Sequence, residues 1–100
     1  MSNKAVAIEI LNQIGGYNRV NAMVGLKDVM AHDNGVSFKI KVRGAKANYV
    51  KITLNSMDLY DVEIGKLRGA NYKVVYEETG IYNDMLKVII EETCGVRLSL

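Results

Sequence analysis

Apolar positions along the chain change their period several times, and each change marks an element. Val6, Ala7, Ile10, Leu11 and Ile14 recur at spacings of three and four behind Ser2 or Asn3 as a cap, and Gly15-Gly16 follows as a stop. That predicts a helix over roughly 3–14. Beyond Tyr17, Val20, Ala22, Val24 and Leu26 alternate with Arg19, Asn21, Met23 and Gly25, which predicts a first strand continuing, kinked near Lys27-Asp28, to Met30. Asp33-Asn34-Gly35 is the clearest turn. A three-residue loop pairing His32 with Val36 and Met30 with Phe38 matches the apolar faces better than a two-residue loop opposing Phe38 to Ala31.

The period of two then persists. Val36, Phe38, Ile40 and Val42 face one way, with Ser37, Lys39, Lys41 and Arg43 facing the other. Gly44 to Asn48 connects to a strand with Val50, Ile52 and Leu54 inward. The loop Asn55 to Leu59 leads to Tyr60, Val62 and Ile64, and Gly65 to Asn71 leads to Tyr72, Val74 and Tyr76. Thr79 caps a predicted helix over about 81–93, whose face of Tyr82, Met85, Leu86 and Ile89 is widened by Val88 and Ile90 and ends at Gly95. The tail Val96 to Leu100 alternates like a short edge strand. Together these predict a single α+β domain over 1–100. It has one antiparallel meander sheet of about five strands, with an N-terminal and a C-terminal helix on one face.

Composition narrows the function more than it defines it. With 49% apolar and 24% charged residues in 100, the chain has one modest core and no disordered or membrane-spanning segment. The formal charge of +2 argues for a nucleic-acid partner only if the charges are segregated on the surface. One cysteine, Cys94, and one histidine, His32, exclude a disulfide framework and the usual zinc sites. No cofactor loop is present, because Gly15-Gly16 follows a helix and lacks the Lys-Ser/Thr signature. Without a signal segment, a cytoplasmic protein is expected.

Strand pairing brings candidate chemistry together. If Leu54 faces Tyr60, then Ile52 faces Val62, Lys51 faces Glu63 and Thr53 faces Asp61. On the other side, matching the core faces sets Ile40 opposite Ile52, Lys41 beside Lys51 and Arg43 beside Tyr49. Lys39, Lys41, Arg43, Lys46 and Lys51 then form a positive patch with Tyr49 interleaved, the composition of a platform for single-stranded nucleic acid or another phosphate-bearing ligand. The plainer alternative is a solvated sheet face.

Catalytic parts are scarce. His32 beside Asp33 has no nucleophile near it, and Cys94, flanked by Glu91 and Glu92, reads as a partly buried, inert thiol. Asp61 and Glu63 share a face about 7 Å apart and offer the one enzymatic alternative, hydrolysis with a divalent ion. Ion pairing with Lys51 is the simpler role for Glu63, and neither a resident metal nor a cofactor is expected. Tyr60, Tyr72 and Tyr76 fall on the core parity, whereas Tyr17, Tyr49 and Tyr82 are candidates for exposed interface anchors.

The runs Ile10 to Gly16, Ala22 to Gly25, Val50 to Leu54 with Asp58 to Val62, and Gly80 to Leu86 resemble a family of small proteins found in phages, prophages and mobile elements. Val24 and Cys94 stand where threonine is expected in that family. The resemblance implies a setting in the host-cell cytoplasm and a protein that acts by binding, and it carries over no functional residues. Three partners remain open: nucleic acid at the basic face, a host or phage protein such as a component of a host defence system, or a second copy of the chain. Val88, Ile90, Leu98 and Leu100 are the expected protein-interface residues, on an over-wide helical stripe and an alternating tail.

Overall fold

The computed structural model of the protein describes residues 3–98. Helix α1 (Asn3–Gln13) is followed by α2 (Tyr17–Val24), and then by strands β1 (Leu26–His32), β2 (Gly35–Ile40), β3 (Tyr49–Leu54), β4 (Tyr60–Arg68) and β5 (Asn71–Ile81). A single turn of 3-10 helix (Asn83–Met85) leads into α3 (Leu86–Cys94). The five strands form one antiparallel sheet in sequence order. Helix α1 packs over β1 and β2, and α3 packs over β4 and β5. The α+β meander with helices at both ends of the chain is therefore what forms, with a second N-terminal helix added.

That second helix replaces the start of the predicted first strand. Val20 and Val24 are buried while Ala22, two residues from each, is exposed, so the burial follows the i, i+4 spacing of a helix and not alternation. The helix ends at Gly25, and the side-chain oxygen of Asn21 accepts a hydrogen bond from Leu26 N at 2.8 Å. Only from Leu26 onward is the chain extended.

The first hairpin closes more tightly than expected. Its loop is the two residues Asp33-Asn34, so His32 pairs with Gly35, Ala31 with Val36 and Met30 with Ser37. A β-bulge between Lys27 and Met30, with Asp28 at φ 53°, sets Ala31 opposite Val36, although Leu26 is the one buried residue of β1. The β2–β3 register also differs from expectation: Val36, not Ile40, lies opposite Ile52, and Phe38 opposite Val50. A Cβ on Gly35 would collide with the Ile52 carbonyl, so the glycine allows this close approach. Strand β2 consequently ends at Ile40, and residues 41–48 are all connection. The predicted β3–β4 register holds at each pair, Leu54 with Tyr60 through Lys51 with Glu63.

The core lies between the sheet and its helices. Phe38, Ile52, Val62, Ile64 and Val50 on the sheet meet Ile10, Ile14, Val20, Leu86 and Ile90 from the helices. Burial of a side chain such as Phe38 contributes roughly 1.5–3 kcal/mol. Strand β5 runs five residues past Tyr76, so Thr79 is in a strand and does not cap α3. The buried positions of α3 are Leu86, Ile90 and Cys94, whereas Tyr82 and Met85 are exposed. Val96 to Leu98 form no strand; Leu98 is instead buried, and its N–H donates to Glu91 Oε2 at 2.9 Å.

Candidate functional site

The six residues of the predicted basic platform separate into three groups. Lys39 and Tyr49 are a cross-strand pair on the uncovered sheet face, both half-buried. Lys39 Nζ lies 3.0 Å from Asp28 Oδ2, and this partner holds the Asp28 carboxyl below the usual carboxylate range. Lys41, Arg43 and Lys46 are exposed on the 41–48 connection. The Lys41 stem rests against Gly25, and the Lys46 stem rests against Gly95 at the end of α3, where a lysine complements the helix dipole. Lys51 sits near the middle of β3, opposite Ser37 and Glu63, and Lys41 is not beside it.

The connection also brings in cations that the sequence pattern did not single out. Asn48 continues the ladder past the end of β3: its side-chain nitrogen donates to Leu67 O at 2.9 Å and its side-chain oxygen accepts from Leu67 N at 2.7 Å. Lys66 Nζ donates to Ala45 O at 2.7 Å, and Lys46 N donates to Cys94 O at 2.8 Å. These bonds anchor residues 45–48 beside the β4–β5 hairpin, whose two-residue loop Gly69-Ala70 is bracketed by Lys66, Arg68 and Lys73. Lys66 and Lys73 are directly opposite each other. The visible signal was the run Lys66-Leu67-Arg68-Gly69-Ala70-Asn71-Tyr72-Lys73, basic on both sides of a turn.

Tyr72 belongs to this end as well. A β-bulge between Ile64 and Gly65 on the β4–β5 ladder inserts Val75, which reverses the parity of the residues before it and puts Tyr72 on the uncovered face. Its ring meets Tyr49 edge to face, with centroids 5.4 Å apart and planes at 85°. Its hydroxyl donates to Glu63 Oε2 at 2.8 Å, and burial together with that carboxylate pushes its pKa up. Glu63 is thus engaged by Tyr72 and not by Lys51.

Charge is consequently segregated along the strand direction. Lys27, Lys39, Lys41, Arg43, Lys46, Lys66, Arg68 and Lys73, eight of the 13 basic residues, gather at the end of the sheet where β2 and β4 finish and β5 begins. The acidic residues at this end are Asp28, paired with Lys39, and Glu91 and Glu92 late in α3. At the opposite end are Asp33, Asp58, Asp61, Glu77, Glu78 and Asp84. A cleft of about 460 Å³ opens there between α1 and the β3–β4 loop, and it is lined in part by Glu9, Asp58 and Tyr60.

Of the candidate hydrolytic pair, Asp61 lies in this acidic half, whereas Glu63 is held by Tyr72. Asp61 Oδ1 accepts from Asn55 Nδ2 at 3.0 Å and from Gly80 N at 3.3 Å, so it ties the β3–β4 loop to β5. Among the described residues no group of three or more His, Cys, Asp or Glu side chains is arranged to hold a metal ion. His32 Nε2 and Ser37 Oγ share a hydrogen bond of 2.8 Å on the uncovered face. Cys94 is fully buried, and burial pushes its thiol up to about 11.

The expected protein-interface residues also separate. Val88 is 42% exposed, whereas Ile90 and Leu98 are fully buried in the core and are not available as surface. Leu100 lies outside the described residues. Among the described residues no helix is long and apolar enough to cross a membrane. The chain matches no family model, no curated protein and no solved structure.

Proposed function

We propose that this is a non-enzymatic binding protein of phage or mobile-element origin, acting in the host cytoplasm, that takes single-stranded nucleic acid at the basic end of its sheet. The observation that carries the reading is the segregation of eight cations at the end of the sheet that carries the Tyr49–Tyr72 pair, in a molecule whose formal charge is only +2. Exposed Lys41, Arg43, Arg68 and Lys73 meet phosphates, and the exposed surface of Tyr72 offers a base a stacking partner. The contacts read backbone and ring faces, so binding is weak, tolerant of sequence and sensitive to salt. Each phosphate contact adds roughly −0.7 to the slope of log affinity against log salt.

Titration of a fluorescent single-stranded oligonucleotide at low salt tests this. Arg43→Glu with Arg68→Glu abolishes binding, whereas Lys51→Glu, in the acidic half, leaves it unchanged. An unmodified protein that binds neither single-stranded DNA nor RNA sinks the reading. A protein-interaction module, such as an inhibitor of a host defence system, is the second reading, favoured by the exposed β5 edge with Tyr72, Val74 and Val75 between 41% and 47% exposed.

A further inference from the structure

Strand β5 is the longest in the sheet at 11 residues, and it is an edge. Nothing in the described structure pairs its outer row of backbone N–H and C=O groups. Such a row templates the addition of another strand. The opposite edge, β1, is shorter at seven residues and is interrupted by Asp28 in the left-handed region. An occupant of β5 is specified by the charges along it.

Within one chain, β5 carries unfavourable neighbours. Lys73 is directly opposite Lys66, and Glu77 is directly opposite Glu63. Like charges in directly opposed positions destabilise a sheet. Along β5 itself the sign changes once: Lys73 lies at the start, Val74-Val75-Tyr76 in the middle, and Glu77-Glu78 beyond. A strand with one basic end and one acidic end is complementary to itself when paired antiparallel.

The bulge fixes the register of such a pair. Because Val75 is the inserted residue, Val75 and Tyr76 both lie toward the helix side, with Lys73 and Glu78, while Tyr72, Val74, Glu77 and Thr79 lie on the uncovered side. In a two-fold pair, opposed residues must share a face. The register that centres the axis between Val75 and Tyr76 satisfies this at every step. Lys73 then lies opposite the second copy's Glu78, Val74 opposite its Glu77, and Val75 opposite its Tyr76. The Lys73–Glu78 contact therefore occurs twice by symmetry.

We infer that the protein self-associates through antiparallel pairing of two β5 edges, forming a continuous ten-stranded sheet with Lys73 of each copy against Glu78 of the other. The partner is a second copy of this chain, and the paired edge shares Lys73 with the basic end proposed to bind nucleic acid. Tyr72 keeps its uncovered face, opposite the second copy's Thr79, and the 41–48 connection is not part of the paired strands.

Sedimentation equilibrium without nucleic acid tests the inference independently of the binding proposal. The unmodified protein is expected to shift with concentration from 11.1 kDa toward twice that mass. Lys73→Glu alone sets Glu against Glu at both contacts, and Glu78→Lys alone sets Lys against Lys, so each variant stays monomeric. Mixed in equal amounts, the two variants restore two opposite-sign contacts and form a heterodimer. A monomeric unmodified protein across the concentration range overturns the inference. So does a dimer that survives Lys73→Glu, or a mixture of folded variants that fails to associate.

Discussion

The ring of Tyr72 lies directly over Gly65, in the space that a Cβ on that glycine would occupy. A glycine in the middle of a strand leaves a gap on the sheet surface, and here the aromatic side chain of the neighbouring strand fills it. Tyr49, opposite Gly65 on the other side, meets the same ring edge-on. The glycine therefore sets the position of the most exposed aromatic surface at the basic end.

Gly65→Ala is expected to displace Tyr72 from Tyr49 and from Glu63. Edge-to-face aromatic contacts contribute about 0.5–1.5 kcal/mol and a hydrogen bond to a charged group about 1.5–3 kcal/mol, less where water competes as at the exposed Tyr72–Glu63 bond, so a loss of roughly 1–3 kcal/mol should appear in urea unfolding. In a Tyr72→Ala background the same substitution should cost far less. Equal costs in the two backgrounds would show that the two residues are not coupled.

Asn48 joins the connection to β4 through its two bonds with the Leu67 backbone. Asn48→Ala removes both and leaves the Leu67 groups to find other partners. The expected cost is about 2–3 kcal/mol, read as a lower urea midpoint with an unchanged m-value. Amide exchange at Leu67 should accelerate more than exchange at Ile52, which keeps its ladder partners on both sides. Equal acceleration at the two sites would mean that Asn48 does not act locally.

The strand–turn–strand order, the core parity of β2 to β4 and the β3–β4 register were all legible, because alternation over long runs leaves one arrangement with a buried face. What escaped was set by contacts remote in sequence. Val20, Ala22 and Val24 satisfy a period of two over five residues, and only the burial of Val20 and Val24 without Ala22 distinguishes the helix. The β2–β3 register keeps its parity under a shift of four residues, so apolar matching could not choose between Ile40 and Val36 as the partner of Ile52. The close approach at Gly35 accompanies the register that forms. Strict alternation puts Tyr72 on the core face, and one inserted residue, Val75, reverses it. The basic end was legible in part, through Lys39, Lys41, Arg43, Lys46 and Tyr49, but its share from Lys66, Arg68 and Lys73 depends on the bonds that fold residues 45–48 against β4.

Alkaline pH should weaken the fold, beginning with Cys94. Its thiol is pushed by burial from 9.0 up to about 11, so between these values the unfolded chain gives up a proton that the folded chain retains. The associated stability is complete below pH 9 and is lost as pH rises toward 11. Tyr60, Tyr72 and Tyr76 are shifted in the same direction, so their contribution is lost from about pH 10 upward. Thermal unfolding followed from pH 8 to 11 should show a falling midpoint, and Cys94→Ala should flatten the first part of the fall. A midpoint that rises over this range would contradict the assignment. The native thiol should also react slowly with alkylating reagents at pH 8 and rapidly once the chain is unfolded.

The Asp28–Lys39 pair makes the charge segregation testable by addition of affinity instead of its loss. Asp28 is the one carboxylate that engages a lysine of the basic end at ion-pair distance among the described contacts, and it occupies a left-handed conformation that asparagine tolerates well. Asp28→Asn therefore releases Lys39 without straining the bulge. Its lowered pKa means that the pair is present above the ordinary carboxylate range and is lost as pH falls through the depressed value, so wild-type affinity at low pH should approach that of the variant. Removing this negative charge from beside a bound phosphate should give roughly a several-fold gain in affinity for a single-stranded oligonucleotide at low salt. At about 1 M salt, where the screening length is about 3 Å, the gain should disappear. Asp33→Asn makes the same change in net charge at the acidic end and supplies the control. If Asp33→Asn raised affinity as much as Asp28→Asn, net charge alone would govern binding and the basic end would not be the site. A gain specific to Asp28→Asn would locate the bound phosphates beside Lys39.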